Sequence, residues 1–147
     1  MMKDERGFSL LELLIVVAII LIIATIAIPS FLRSRQSANE SSAVSNVRTV
    51  NTEEATYSLS TGGNFGTISD LVNAGMLDSR FNTAISGYSL TITVSGTDYT
   101  VTAIPTSLNS GRYGYYSTPD SVIRYQTTPS ATCNPCFPPG LSGSPVK

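Results

Sequence analysis

Residues 8–28 read FSLLELLIVVAIILIIATIAI, an apolar run that contains a single carboxylate, Glu12. A helix of these 21 residues rises about 31 Å, which is enough to cross the hydrocarbon core of a bilayer. A charged side chain in such a span costs roughly 2.5–3.5 kcal/mol at its centre and less near an end. Glu12 therefore needs a partner, or a use outside simple membrane anchoring.

A short charged segment, MMKDERG, precedes the apolar run and ends on Gly7. An ordinary secretory signal places its small-residue cleavage site after the apolar core. Here Pro29 and a polar stretch follow the core instead. Gly7 is the small residue at the charged-to-apolar junction, so a cut there would leave the apolar segment on a mature protein that begins with Phe8. The sequence thus predicts a removable leader over residues 1–7.

The stretch GFSLLELLIVVAIILIIATIAIPSFLRSR, residues 7–35, resembles the N-terminal segment of type IV pilins and type II secretion pseudopilins. The short leader is similar to that of the type IVa class. The resemblance implies that a prepilin peptidase cuts after Gly7 and methylates Phe8. It also implies that Glu12 meets the amine of a neighbouring Phe8 in a filament, and that Pro29 is the family's helix-kinking proline. The implied partners are copies of the same chain, the inner membrane, the peptidase, an assembly platform and separate ATPases.

The predicted fold is α+β, with a long N-terminal helix over residues 8–60 and a globular antiparallel-sheet domain over residues 61–147. Pro29 lacks an N–H and should bend or loosen the helix. Beyond the membrane part, Val44, Val47 and Val50 recur at helical spacing and predict a stripe that packs on the sheet. We expect five charged residues of the helix to lie on solvated faces or between subunits: Arg33, Arg35, Glu40, Arg48 and Glu53.

Residues 61–147 carry turn signals between short periodic segments. Gly62-Gly63 ends the long helix, and residues 67–77 predict a short helix with Ser69 at its start and Gly75 near its end. YSLTITV and YTVTAIP, at 88–94 and 99–105, predict a hairpin around a turn at 95–98. Further strands are predicted at 111–117 and 121–126, with a turn at 118–120. From residue 141 onward we expect a mobile tail.

Four tyrosines follow the hairpin: Tyr113, Tyr115, Tyr116 and Tyr125. Such a cluster could stack on carbohydrate or nucleobases. Tyrosine is also favoured in strands, where alternate side chains point to opposite faces of the sheet. We favour the second interpretation.

Cys133 and Cys136 form a C-x-x-C in a proline-rich segment. A zinc site would need two further ligands, and a thioredoxin-like motif would open a helix after a strand. An oxidising compartment would permit a disulfide that closes a small ring. Many members of the resembling family close a longer C-terminal loop, whereas this pair could close only a tight turn.

The chain has 147 residues, a formal net charge of −1 and no histidine. Histidine-based catalysis and histidine metal ligation are therefore excluded, and nothing indicates a nucleic-acid face, a metal or a cofactor. We expect a pilin that is not an enzyme, located in the bacterial inner membrane and then in a surface pilus. The alternatives are a pseudopilin of a periplasmic pseudopilus, for which Asp98 and Asp120 are candidate calcium ligands, and a membrane-anchored binding module that does not polymerise. A membrane-anchored enzyme is the weakest alternative.

Overall fold

The computed structural model describes residues 8–127 and 143–146. The chain divides into two compact units between Ser34 and Arg35. The helices are α1 (Leu10–Ser60), α2 (Ile68–Asn73) and a 3-10 helix (Ser79–Asn82), and the strands are β1 (Tyr88–Ser95), β2 (Asp98–Pro105), β3 (Tyr113–Ser117), β4 (Arg124–Thr127) and β5 (Ser144–Pro145). The predicted α+β class, with a long helix on a small antiparallel sheet, is confirmed.

The helix α1 ends where the sequence predicts, at a glycine. Gly62 has a φ of 74°, in the left-handed region that glycine adopts without steric cost. The N–H of Gly63 donates to the carbonyl of Ser58 over 2.8 Å, which closes the helix end as in a Schellman motif. Gly75, with a φ of 74°, ends α2 in the same manner.

The start of α2 differs from the prediction. Thr67, not Ser69, is the N-cap residue, and its side chain accepts a hydrogen bond from the backbone N–H of Asp70. The Asp70 carboxylate accepts from the backbone N–H of Thr67 over 2.8 Å in return. These two bonds form a capping box, which needs a hydroxyl residue and an acidic residue three positions apart. Ser69 has no such partner three residues on.

The sheet is a meander in the order β1-β2-β3-β4-β5, with every neighbouring pair antiparallel. The predicted hairpin is confirmed, and its two-residue loop has Gly96 at a φ of 61°, as the first central position of a type II′ turn requires. β3 and β4 are shorter than predicted and start at Tyr113 and Arg124. β5 was not predicted, because its two residues are too few to give an alternating pattern.

The core lies between the sheet and the second half of α1. Val47, Val50 and Ala43 are fully buried, and Val44 is half-buried against the same cluster. The alternation of the hairpin is also confirmed, since the members that face the helix are buried: Leu90, Ile92, Tyr99, Val101 and Ala103. A stripe at helical spacing and two strands at alternating spacing therefore bury their apolar faces against each other.

The four tyrosines belong to the sheet, as favoured above. Tyr115 and Tyr116 are buried, although consecutive strand residues point to opposite faces. Tyr113 and Tyr125 are half-buried and meet edge to face with ring centroids 5.2 Å apart. The rings thus serve packing on both faces of β3 and β4.

Glu40 was predicted to lie on a solvated face or between subunits, and this prediction is wrong, because Glu40 is buried within the subunit. Its side chain is 9% exposed and forms an ion pair with Arg112, whose Nη2 lies 2.9 Å from Oε2. The Arg112 Nε and backbone N–H both donate to Oε1, over 3.1 and 2.8 Å. The contact raises the pKa of Arg112, and the hydrogen bond to Glu40 is the largest cause. Seventy-two residues separate the partners, so no local pattern could have indicated the pair.

Glu54 of α1 is wholly buried, and its Oε2 accepts a hydrogen bond from the Gly66 N–H over 3.1 Å. Within the part of the chain that the structure describes, Oε1 has no hydrogen-bond partner. Burial is the main cause that raises the pKa of Glu54 above its ordinary value of 4.5, and the charge of Asp70 adds to it. Burial also raises the pKa of the nearby Tyr99 hydroxyl to about 12.

We expect the stability of the wild-type domain to fall as the pH rises from about 4.5, relative to a Glu54→Gln variant. The unfolded chain ionises Glu54 near its ordinary pKa, whereas the folded chain keeps the proton to a higher pH, so folding takes up a proton in that window. The glutamine keeps an acceptor for Gly66 and never charges. Denaturant unfolding of the full chain in detergent, from about pH 4 to about pH 8, measures the difference.

The control for this test is Glu53→Gln, which removes the half-buried carboxylate that directly precedes Glu54 in α1. The lowered pKa values of Asp70 and Asp120 make stability rise with pH, and they largely cancel when the wild type and a variant are compared. Parallel pH profiles for the wild type and Glu54→Gln would contradict the prediction.

Candidate functional site

The first unit presents an apolar surface that the described residues leave uncovered. Among residues 8–34 no side chain is buried, and all are exposed except that of Ala24. Leu10 and Ile26 are 81% and 75% exposed, at opposite ends of the apolar run. The helix is long and apolar enough to cross a membrane.

This surface is too costly to remain in water. Burying one leucine, isoleucine or valine is worth about 1.5–3 kcal/mol, so the whole run amounts to tens of kcal/mol. The apolar side chains surround the helix on all sides, which is typical of a membrane span or of the centre of an assembly. This surface therefore favours an apolar environment, such as a bilayer or a layer of packed helices.

The polar groups of this segment are few. The Thr25 hydroxyl donates to the Leu21 carbonyl over 2.8 Å, so its hydrogen is used within the helix. Glu12 lies in the first turn, where a negative charge interacts favourably with the helix dipole. The described residues offer its carboxylate no hydrogen bond or ion pair. Within the described residues, Glu12 is therefore a charge without a partner.

The predicted partner of this charge does not exist in the uncut chain. Phe8 is 76% exposed, and its nitrogen belongs to the peptide bond with Gly7 until that bond is cut. Gly7 lies outside the described residues. Cleavage would create an amine four residues before Glu12, at the end of the same apolar surface.

The other predicted site residues lie at widely separated positions of the sequence: Pro29, Cys133 and Cys136. Pro29 lies inside α1, which continues on both sides of it, and the bend at this position stays a prediction. Cys133 and Cys136 lie outside the described residues. The described residues contain no group of three or more acidic or cysteine side chains that could hold a metal ion.

The described part of the globular unit has several grooves on its surface. A groove of about 530 Å³ beside Glu40 is lined mainly by Tyr113, Tyr115 and Tyr125. The Glu40 carboxylate beside this groove already forms an ion pair with Arg112. The surface with the strongest physical demand for a partner is therefore the apolar helix.

Comparison with known proteins leads to the same segment. Residues 2–28 match the family described as "Prokaryotic N-terminal methylation motif". The chain is 27% identical, over 89% of its length and 94% of the relative's, to the type IV wide pilus major component PilA4 of Thermus thermophilus. It is 44% identical over 53 residues to the type IV major pilin protein PilA of Myxococcus xanthus, covering 36% of this chain and 24% of that protein. No solved structure matches.

The methylation motif, the uncovered helix and the helix-backed meander define a class, that of filament subunits with a prepilin-type N-terminus. Together with the similarity to the two pilins, they support the identification of this chain as a type IV pilin. The same findings support a structural pilus subunit that a prepilin peptidase processes.

Proposed function

We propose that the chain is cut between Gly7 and Phe8, methylated on the Phe8 nitrogen, and polymerised into a type IVa-like pilus through its N-terminal helix. The observation that carries the proposal is the apolar surface of residues 8–34, whose one carboxylate has no partner among the described residues. Lipid covers this surface before assembly, and the helices of other copies cover it afterwards.

In this proposal, Glu12 sets the axial register between neighbouring subunits. In a core of packed helices, the new Phe8 amine of one subunit is the charge that can pair with Glu12 of its neighbour. Desolvation offsets much of the attraction in such a pair, so its main effect is to select one axial step between subunits. In a filament with a different axial step, Glu12 would be buried without a partner, and nothing would offset its desolvation cost.

The topology follows from the processing. The leader must meet a peptidase that faces the cytoplasm. We therefore place the N-terminus on the cytoplasmic side of the inner membrane and the globular unit on the opposite side. Basic residues lie on both sides of the span, with Lys3 and Arg6 before it and Arg33 and Arg35 after it. Their number alone therefore does not fix the orientation. An assembly platform and separate ATPases would drive extraction, because the sequence contains no phosphate-binding loop.

We further propose that the subunit carries no catalysis of its own, in keeping with its structural relatives. A periplasmic pseudopilus would use the same helix and the same processing, and a plain anchored module would use only the span. Both relatives are described as major pilus components, which favours the pilus.

The experiment is to shear surface filaments from cells, image them, and determine the mass of their main component. We expect long filaments of a subunit that starts at Phe8 and carries one methyl group. Short periplasmic filaments would favour the pseudopilin. A subunit that stays in the membrane without filaments would favour the anchor.

A further inference from the structure

Strand β1 lies at one end of the sheet, and its outer edge has no strand beside it in the described chain. The ladder with β2 defines which backbone groups point outward. Ser95 and Asp98 close the hairpin loop, and from there back along β1 every second residue turns its backbone groups toward β2. The residues between them, Leu90, Ile92 and Val94, therefore direct their N–H and C=O groups away from β2.

The outward groups of β1 are mostly unpaired. Tyr88 shows their direction, because its N–H and C=O exchange hydrogen bonds of 2.9 and 2.8 Å with Ile85, outside the ladder with β2. For Leu90, Ile92 and Val94, the part of the chain that the structure describes offers these groups no hydrogen-bond partner. A groove of about 230 Å³ lies beside Leu90 and Ile92. The edge thus presents free backbone groups to a further strand.

The sequence of this edge carries none of the features that usually keep edge strands apart. Residues 89–95 read SLTITVS, without a charge, a proline or a glycine. The pairing of β1 with β2 is continuous from Tyr88 to Ser95, so no bulge twists the edge away. Natural edge strands are commonly protected by lysine, proline or a bulge. Nothing within β1 therefore opposes the addition of a strand.

The same seven residues read almost alike in both directions from Ile92. Serine stands at both ends, and threonine stands on either side of Ile92. If two copies of β1 pair antiparallel about a two-fold axis at Ile92, Thr91 of one copy lies opposite Thr93 of the other. Leu90 likewise meets Val94, and Ile92 meets itself. Such pairs of β-branched and aliphatic residues stabilise a sheet, so β1 is complementary to a second copy of itself.

We infer that the edge of β1 is a self-association surface, through which the globular units of two copies of this chain join their sheets in an antiparallel pair centred on Ile92. In this register the outward N–H and C=O groups of Leu90, Ile92 and Val94 meet those of the other copy. The pairing satisfies all of them at once. The pair has two-fold symmetry and uses both β1 edges, so it closes with two copies.

This contact is distinct from the contact that lengthens a filament. A helical filament grows through a heterologous contact, in which two different surfaces of the subunit meet. The β1 pair is isologous, and no two-fold axis relates copies that all point the same way along one filament. For this last step the inference rests on the filament proposed above: there, the β1 pair joins subunits of two filaments that lie side by side.

Cysteine cross-linking tests the register in the full-length chain, solubilised in detergent, with Cys133 and Cys136 replaced by serine. Thr91→Cys and Thr93→Cys are made as separate variants, mixed, and treated with the oxidant diamide. Both threonines are exposed, so the changes leave the core intact. In the inferred register they face each other at a non-hydrogen-bonded position, where Cα atoms lie about 4.5 Å apart and a disulfide fits.

The matched control replaces Thr93→Cys by Thr100→Cys in the mixture. Thr100 lies opposite Thr93 on β2, one strand further from the edge. Its Cα would be about 10 Å from that of Thr91 in the other copy, which is too far for a disulfide. Each variant oxidised alone is a second control, because identical positions of the two copies lie diagonally, about 7–8 Å apart.

We expect the mixture of Thr91→Cys and Thr93→Cys to give severalfold more disulfide-linked dimer than the control mixture or either variant alone. Equally low yields in all samples would overturn the pairing of β1. Equally high yields would show contact without register, as from association of the apolar helices, and would also overturn it.

A pair of charge variants tests the same edge without cysteines. Thr91→Lys/Thr93→Lys places like charges opposite one another across the inferred pair, which is destabilising. Thr100→Lys/Thr102→Lys is the matched control, because it places the same charges at the cross-strand positions of β2. In sheared filaments we expect side-by-side bundles from the wild type and the β2 variant, and single filaments from the β1 variant.

Equal bundling in all three samples, or single filaments from the wild type, would overturn the joining of filaments. A wild type that forms no filaments would overturn the proposed function, and the cross-linking yields would then decide the β1 pair by themselves. Failure of the inference and failure of the proposed function are therefore separate results.

Discussion

A Gly7→Leu variant is expected to accumulate in the membrane as uncut precursor and to form no filaments. Gly7 has no side chain, which suits the narrow site of a peptidase that must reach a backbone bond beside an apolar helix. A leucine there would also continue the apolar run and blur the junction with the charged leader. Without the cut, the Phe8 nitrogen stays in a peptide bond and gives Glu12 no amine to pair with.

The measurement is the intact mass of the membrane-resident and the sheared protein. Gly7→Ala is the matched control, because it adds only a methyl group and should leave processing slower but detectable. Filaments whose subunits still begin at Met1 would contradict the prediction.

A Glu12→Val variant is expected to insert into the membrane at least as well as the wild type and yet to assemble poorly. Removing a charge from the apolar run lowers the transfer cost by up to roughly 2.5–3.5 kcal/mol, less near an end. In the filament, the same change leaves the Phe8 amine of a neighbour buried without its partner. Breaking a buried ion pair from one side costs about 3–5 kcal/mol, which corresponds to a loss on the order of a hundredfold or more in subunit addition.

Filament yield and membrane-resident subunit should be quantified together, in cells without wild-type subunits. Leu11→Val is the matched control, because it changes the neighbouring position of the same exposed surface and keeps the charge. Glu12→Gln separates charge from shape, and should resemble Glu12→Val. Abundant filaments of normal form from Glu12→Val would remove the register role, and would favour a plain anchor if function were also unchanged.

The features that the sequence predicted well are those whose physical cause is local. The 21-residue apolar run requires a helix in an apolar environment, whatever the rest of the chain does. The alternation at 88–94 and 99–105 with a tight turn predicts a hairpin, because each strand alone defines its buried face. The glycines that end α1 and α2 are likewise local signals, since few other residues adopt a positive φ.

The failures have non-local or competing causes. Glu40 follows the charged pattern of a solvated helix face, and only the fold brings Arg112 to it across 72 residues. Ser69 was a reasonable cap by residue type, but Thr67 has an acidic residue at the capping-box spacing and Ser69 does not. The expected mobile tail differs in its described part, where Ser144–Pro145 pair with β4 and the Val146 N–H donates to the Ile123 carbonyl. A two-residue strand is defined by its neighbour and has no periodicity of its own.

The two sides of the core are far apart in the sequence, and this separation constrains how the chain folds during its synthesis. Val47 and Val50 are synthesised well before the strands that cover them, and the buried bond from Asn51 to Ser117 joins residues 66 positions apart. Until β1 and β2 have been made, the stripe of α1 lacks the strands that bury it, and the cost of closing the chain is unmet by contacts. The apolar stripe of α1 therefore leaves the ribosome before the strands that shelter it, and it stays exposed on the nascent chain in that interval.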